Sequence, residues 1–408
     1  MTAALLEAAV RVAGGRITAA LAARFRDLDL AEEALADACI RALEAWPAAV
    51  PADPAAWLYR TAERAALDRL RRRQVRDRPQ PDAPAPPPTV EERMADDSSL
   101  IPDERLRLIF VCCHPAIAAN ARAALTLRLV CGLSTAEIAS AFLLPEATLA
   151  QRLVRAKRKI AEAGIGFEIP GPEHWPERLE AVLTTLEIAY AKAHEDGAGS
   201  GPHAGFAREV LSLSEIAARL MPAEPEVQAI AALVRYAEAR RPARVDGDGV
   251  MIPLAEQDPA LWDRAMIAAA EDYMGRALAL SRARPRCLQA ALHGAWCDRQ
   301  HRGDPPPWRH LLALYNRLLL LRDDPVVRLN RAVVLAEVEG IEAALAAVEA
   351  LPAGQMADFL PYQAARADLL RRAGRGDEAL AAYDACLALS PPPAEARWLA
   401  RQRDLIRA

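Results

Sequence analysis

Two clusters of basic residues have the types and spacing to do chemistry, and that chemistry is the binding of a polyanion. The first is Gln151, Arg152, Arg155, Lys157, Arg158 and Lys159, with Thr148 just ahead and no acid between 151 and 159. Leu149, Leu153 and Ala156 recur at helical spacing and claim one face, so the cations fall on the others. Gln, Thr and Arg at such positions suit base edges, and Lys and Arg suit phosphates. The expected base-edge contacts are Thr148, Gln151, Arg152 and Arg155, and the expected phosphate contacts are Lys157, Arg158 and Lys159. The second cluster is Arg60, Arg64, Arg69, Arg71, Arg72, Arg73, Arg76 and Arg78, interrupted by Glu63, Asp68 and Asp77. Trp57 and Tyr59 stand beside it, and aromatic rings among arginines can stack on unpaired bases. On spacing alone Trp57 is better suited to packing in a core.

The elements that must position these residues are helical. Ser134 with Glu137 three residues on makes a capping box, followed by Ile138, Ala139 and Phe142 on one face. Pro145 suits the first turn of a second helix that carries the basic run. A short helix set against a basic one is a means of placing side chains in the DNA major groove. Ahead of it, three helical patterns are expected at Leu5–Phe25, Leu30–Trp46 and Pro54–Arg73. Residues 78–97 are dense in proline, which prevents helix and favours a stiff linker with an acidic second half. From Trp175 onward the chain is almost wholly helical, with breaks near 197–205, 246–249 and 304–307. Tyr362–Pro391 reads as helix, Gly turn, helix. Arg328–Leu351 repeats the layout and Leu288–Leu321 is a looser copy. These segments resemble tetratricopeptide repeats, and Glu395–Arg407 suits a capping helix.

The bulk numbers bound the answer. A chain of 408 residues exceeds one compact core, so two or three domains are expected. It is 52% apolar and 26% charged, which fits a folded chain, and its scarcity of β-branched and aromatic residues favours an all-α fold. The net charge of −4 does not by itself suggest a nucleic-acid partner. With three lysines in the whole chain, arginine is the default cation and only clusters carry information. The N-terminus lacks a signal-peptide pattern and no apolar run is long enough for a bilayer, so a cytoplasmic location without membrane attachment is expected. Seven irregularly spaced cysteines suit a reducing compartment. Cys112, Cys113 and His114 lack the further ligands of a zinc site and read as buried residues, so no metal is expected. The nucleophile, phosphate-loop and zinc-protease motifs are all missing, and neither catalysis nor a cofactor is expected.

These residues together resemble a family. The chain is similar to bacterial RNA polymerase sigma factors of the sigma-70 family, extracytoplasmic-function (sigma-24-like) type. Leu28–Trp46 resembles the segment that docks on the clamp helices of the polymerase β′ subunit. Pro54–Arg73 resembles the segment that melts and reads the −10 element, and Leu133–Ile160 resembles the −35-reading helix-turn-helix. The resemblance implies that Glu32, Glu33 and Asp37 contact core polymerase. It implies that the loop 47–56 holds a flipped −10 base, and that Trp57, Tyr59, Arg60, Arg64, Asp68, Arg69 and Arg72 line the melted strand. Ala36, Cys39 and Arg64 depart from the residues usual at their positions.

The implied partners are core RNA polymerase, through the β′ clamp helices and the β flap, and promoter DNA, with a protein or peptide partner for the repeats. VCCHPAIA (111–118), ARRPARVDGDG (239–249) and LAEQDPALWD (254–263) resemble recurring segments of a subgroup with a long helical C-terminal extension. The expected divisions are 1–77 (region 2-like), 78–101 (linker), 102–168 (region 4-like helix-turn-helix), 169–284 (helical extension) and 285–408 (repeats). The competing class is a DNA-binding regulator with a ligand- or protein-sensing repeat domain that is not a polymerase subunit.

Overall fold

A computed structural model describes residues 2–76, 104–142, 144–165, 174–195, 206–281 and 284–407. The linker expected at 78–101 and the loop expected at 197–205 lie outside these residues. Among the described residues every regular element is helical, and the one extended pairing is an isolated bridge between Val245 and Met251. The chain divides into two compact units, Met1–Ile138 with Ala147–Thr185, and Ala139–Glu146 with Leu186–Ala408.

In the first unit α1 (Thr2–Phe25), α2 (Leu28–Ala45) and α3 (Pro54–Arg76) pack on one another. Asp27 begins α2 by accepting a hydrogen bond from the Leu30 N–H at 2.9 Å, and Asp53 begins α3 by accepting from Ala56 at 2.9 Å. Ile17, Leu21, Leu30, Trp46 and Leu58 form the core at 1% exposure or less. The Trp46 and Trp57 rings meet edge-on, with centroids 5.6 Å apart.

The helices α4 (Arg105–Cys112) and α5 (Ala119–Leu129) also pack on α1. Gly15 permits a close approach there, because a Cβ at that position would lie 1.8 Å from the Val130 carbonyl oxygen. Next come α6 (Thr135–Ala141) and α7 (Glu146–Ala163). Pro145 therefore precedes the second helix and does not open its first turn. Then α8 (Pro176–Glu195) begins, with Arg178 donating to the Phe110 carbonyl at 2.8 Å and Trp175 stacked on the Phe110 ring. Cys112 and Cys113 are buried, and burial pushes the Cys113 thiol up to about 12.

In the second unit α10 (Pro225–Ala239) is buried along most of its length between α9 (Phe206–Leu220) and α11 (Arg264–Leu280). Arginines staple the irregular stretch between α10 and α11. Arg240 donates to the His293 carbonyl at 3.0 Å and lies 2.9 Å from its Nδ1, and Arg264 donates to the carbonyls of Pro259, Cys297 and Arg299. Three helix pairs follow: α12 (Pro285–Cys297) with α13 (Trp308–Leu321), α14 (Pro325–Val338) with α15 (Ile341–Glu349), and, after the short α16 (Ala353–Met356), α17 (Leu360–Arg372) with α18 (Gly376–Ala388). Gly340 and Gly374, at φ of +102° and +75°, supply the turns inside the second and third pairs. Ala332, Ala344, Ala367 and Ala379 are fully buried where paired helices meet, as small residues must be at a close crossing. The final helix α19 (Pro393–Arg407) joins the 246–249 turn, where Arg397 donates to the Gly249 carbonyl at 3.0 Å.

Candidate nucleic-acid interface

The geometry of α7 follows from its pattern. Leu149, Leu153, Ala156 and Ile160 are buried, at a spacing of four, three and four residues. That stripe turns Thr148, Gln151, Arg155, Arg158 and Lys159 out to solvent, with Arg152 half-buried at its edge. Arg152, Arg155 and Lys159 have no ion-pair or hydrogen-bond partner among the described residues, and Arg158 meets only Glu162 one turn on, at 3.3 Å. The capping box that starts α6 is formed in both directions: the Ser134 N–H donates to Glu137 at 2.7 Å and the Glu137 N–H to the Ser134 hydroxyl at 3.2 Å.

Lys157 differs from its neighbours on α7. It is half-buried and its Nζ donates to Glu32 of α2 at 2.5 Å. A residue expected at phosphate thus meets one expected at polymerase.

The second cluster divides in the same way. Arg60, Arg64 and Arg72 are exposed on α3 and make no hydrogen bond or ion pair among the described residues, though Arg72 stands near enough to Asp37 to help hold its carboxyl down. Arg69 donates to both oxygens of Asp37, at 2.9 and 3.0 Å, and to Glu33 at 2.7 Å. The bidentate pair holds the Asp37 carboxyl below its usual range. Arg73 reaches Asp27 at 3.1 Å, Arg71 stands 4.0 Å from Asp68, and Arg24 pairs with Glu63. Trp57 is half-buried against Trp46, and Tyr59 is half-buried with its hydroxyl 3.5 Å from Glu63. The structure therefore sets Glu32, Glu33 and Asp37 against basic residues of the same unit.

Sequence reasoning passed over Arg41, which is exposed on α2 four residues after Asp37. The signal was the Asp–Arg spacing of four, which puts both on one helical face.

Comparison with known proteins fits this arrangement. Residues 10–76 match the model of sigma-70 region 2, and residues 107–160 match that of sigma-70 region 4. Residues 178–278 match a family of unknown function, DUF6596. An uncharacterised protein of Rhizobium meliloti (strain 1021) is 40% identical over 401 residues, covering 95% of this chain and 93% of that protein. No solved structure matches the chain. With region 2 in α1–α3, region 4 spanning α4–α7 and a helical extension behind them, the chain belongs to the sigma-70 family of sigma factors.

Proposed function

We propose that the chain is a sigma factor of the extracytoplasmic-function type that binds core RNA polymerase, reads −35 and −10 elements and helps open the duplex, without a catalytic step of its own. The exposed row Thr148, Gln151 and Arg155 over the buried stripe of α7 carries this reading, because such a row can enter a major groove as a unit. In this reading Arg158 and Lys159 add phosphate contacts, and Trp57, Tyr59, Arg60, Arg64 and Arg72 line the melted strand. Glu32, Glu33 and Asp37 become polymerase contacts once their internal partners release them. Residues 1–77 and 102–168 act as the two promoter-reading domains on either side of the 78–101 linker. Residues 169–284 and the repeats of 285–408 regulate the factor through a protein or peptide partner, in the cytoplasm at the nucleoid.

The test is transcription from a mapped promoter with reconstituted polymerase. Arg152→Ala with Arg155→Ala abolishes promoter-specific transcripts and leaves core binding intact. Unchanged transcript levels would remove α7 from promoter recognition, and failure of the unaltered chain to bind core would remove the sigma-factor reading itself.

A further inference from the structure

Three arginines of the second unit gather around one buried hydroxyl, with a single carboxylate among them. Tyr190 of α8 is 3% exposed, and its hydroxyl donates to Glu238 near the end of α10 at 3.3 Å. Arg240, Arg241 and Arg244 follow in the chain, and all three guanidinium groups lie within electrostatic reach of that hydroxyl. Arg241 already holds both oxygens of Glu238, at 2.5 and 2.9 Å. Arg240 is 4% exposed, yet the groups it bonds are neutral: the His293 carbonyl and Nδ1 and the Cys297 sulfur. Arg244 is half-buried, its side chain makes no hydrogen bond or ion pair among the described residues, and its Nη1 is shut off from water. Three cations thus meet one acid among the described residues. The C-terminal end of α10 adds only about half an elementary negative charge, so roughly one and a half positive charges stay unbalanced. Burial makes an unbalanced cation costly.

We propose that this cluster holds a phosphate group, free or as the monoester of a small molecule, with Arg244 as its chief donor and Arg240 as its second cation. A phosphate monoester carries a charge of about −1.5 to −2 near neutrality, which matches the surplus, whereas a carboxylate leaves part of it uncompensated. A guanidinium fork suits its oxygens, and a buried donor without a partner is where a missing ion belongs. Arg241 keeps Glu238 engaged, so that carboxylate does not close the site from within. The cluster falls inside residues 178–278, the segment that matches a family of unknown function. It gives the extension a small-molecule input that does not depend on the sigma-factor reading. Through Arg240 and His293 an occupant would tie α8 and the chain after α10 to α12.

The experiment is calorimetric titration of the full chain with inorganic phosphate and, in a second arm, with glycerol 3-phosphate, at constant ionic strength and about pH 8, where both are dianions. Saturable binding of one phosphate per chain is expected, and Arg244→Gln weakens it about tenfold or more. The tighter of the two probes identifies the occupant as the free ion or as a monoester. Phosphate is also expected to raise the melting temperature of the unaltered chain, and Arg244→Gln to lose that rise. If Arg244→Gln does not fold, Arg244→Lys decides by the same comparison, because it keeps the cation and loses the fork. Binding of equal affinity in the unaltered chain and the variant belongs to the basic surfaces of the first unit and overturns the proposal. Absence of saturable binding by both probes overturns it as well, and assigns the three arginines to the fold alone. Either result leaves the sigma-factor reading standing.

Discussion

At the scale of single residues, the described surface of the first unit is governed by who neutralises whom. Lys157 and Glu32 form a half-buried pair, so releasing one changes the other's availability. Glu32→Gln is expected to raise the affinity of the isolated chain for non-specific duplex DNA severalfold at low salt, an advantage that disappears near 0.5 M salt as phosphate contacts are screened. Fluorescence anisotropy at the two salt concentrations checks this, and an equal affinity at low salt would show that the pair does not withhold Lys157.

His293 in the second unit gives a pH prediction. Burial and the adjacent Arg240 push its imidazole down to about 3. A histidine whose folded value lies below its unfolded one stays neutral in the fold. Its stabilisation is therefore complete above about 6.5 and is lost as pH falls from there towards 3. The contribution lost by pH 5 is about 2 kcal/mol. His293→Asn, which keeps an acceptor for Arg240, is expected to flatten the melting temperature between pH 7 and 5 relative to the unaltered chain. Parallel pH profiles of the two would refute it.

At the scale of elements, the helices are set by local signals and their contacts by small residues. Replacing Ser134 by Ala removes the acceptor for the Glu137 N–H and is expected to cost about 1 kcal/mol. Gly15→Ala tests the approach of α1 to the chain end of α5. Alanine gains about 1 kcal/mol of helix propensity over glycine, but its Cβ would lie 1.8 Å from a backbone oxygen that cannot move aside. The net effect is a loss on the order of 2 kcal/mol. At neighbouring Gly14 the added carbon meets the Val10 side chain at 3.2 Å, which can shift, so Gly14→Ala is expected to be near neutral. Thermal melts of the pair separate the two, and equal melting temperatures would mean that the α1 contact yields easily.

At the scale of the whole molecule, the sigma-factor reading requires the first unit to open. On that reading the two promoter elements, near −35 and −10, lie about 25 base pairs apart, roughly 85 Å of B-form DNA at about 3.4 Å per base pair. Lys157 of region 4 and Glu32 of region 2 are in hydrogen-bond contact. Both elements cannot be read in that arrangement, so on that reading the regions separate and the Lys157–Glu32 pair breaks, while Glu33 and Asp37 keep their Arg69 partner within region 2. The second unit holds together by a different device. Glu187 accepts from Gln289 and Arg322 and pairs with Arg286, which is 4% exposed, so α8, α12 and the end of α13 share one partly buried network.

The all-helical fold, the capping box and the helix pairs could be read from the sequence, because helix periodicity, N-caps and Gly turns act within a few residues. The outward row on α7 was legible for the same reason: Leu149, Leu153 and Ala156 fix which side faces in. The sequence by itself thus determined that the chain carries two basic helical surfaces ahead of a helical extension. Only the tertiary structure decided which of those cations are free. Arg69 with Asp37 spans 32 residues and Lys157 with Glu32 spans 125, and pairing at such separations depends on how helices pack, which no local spacing encodes.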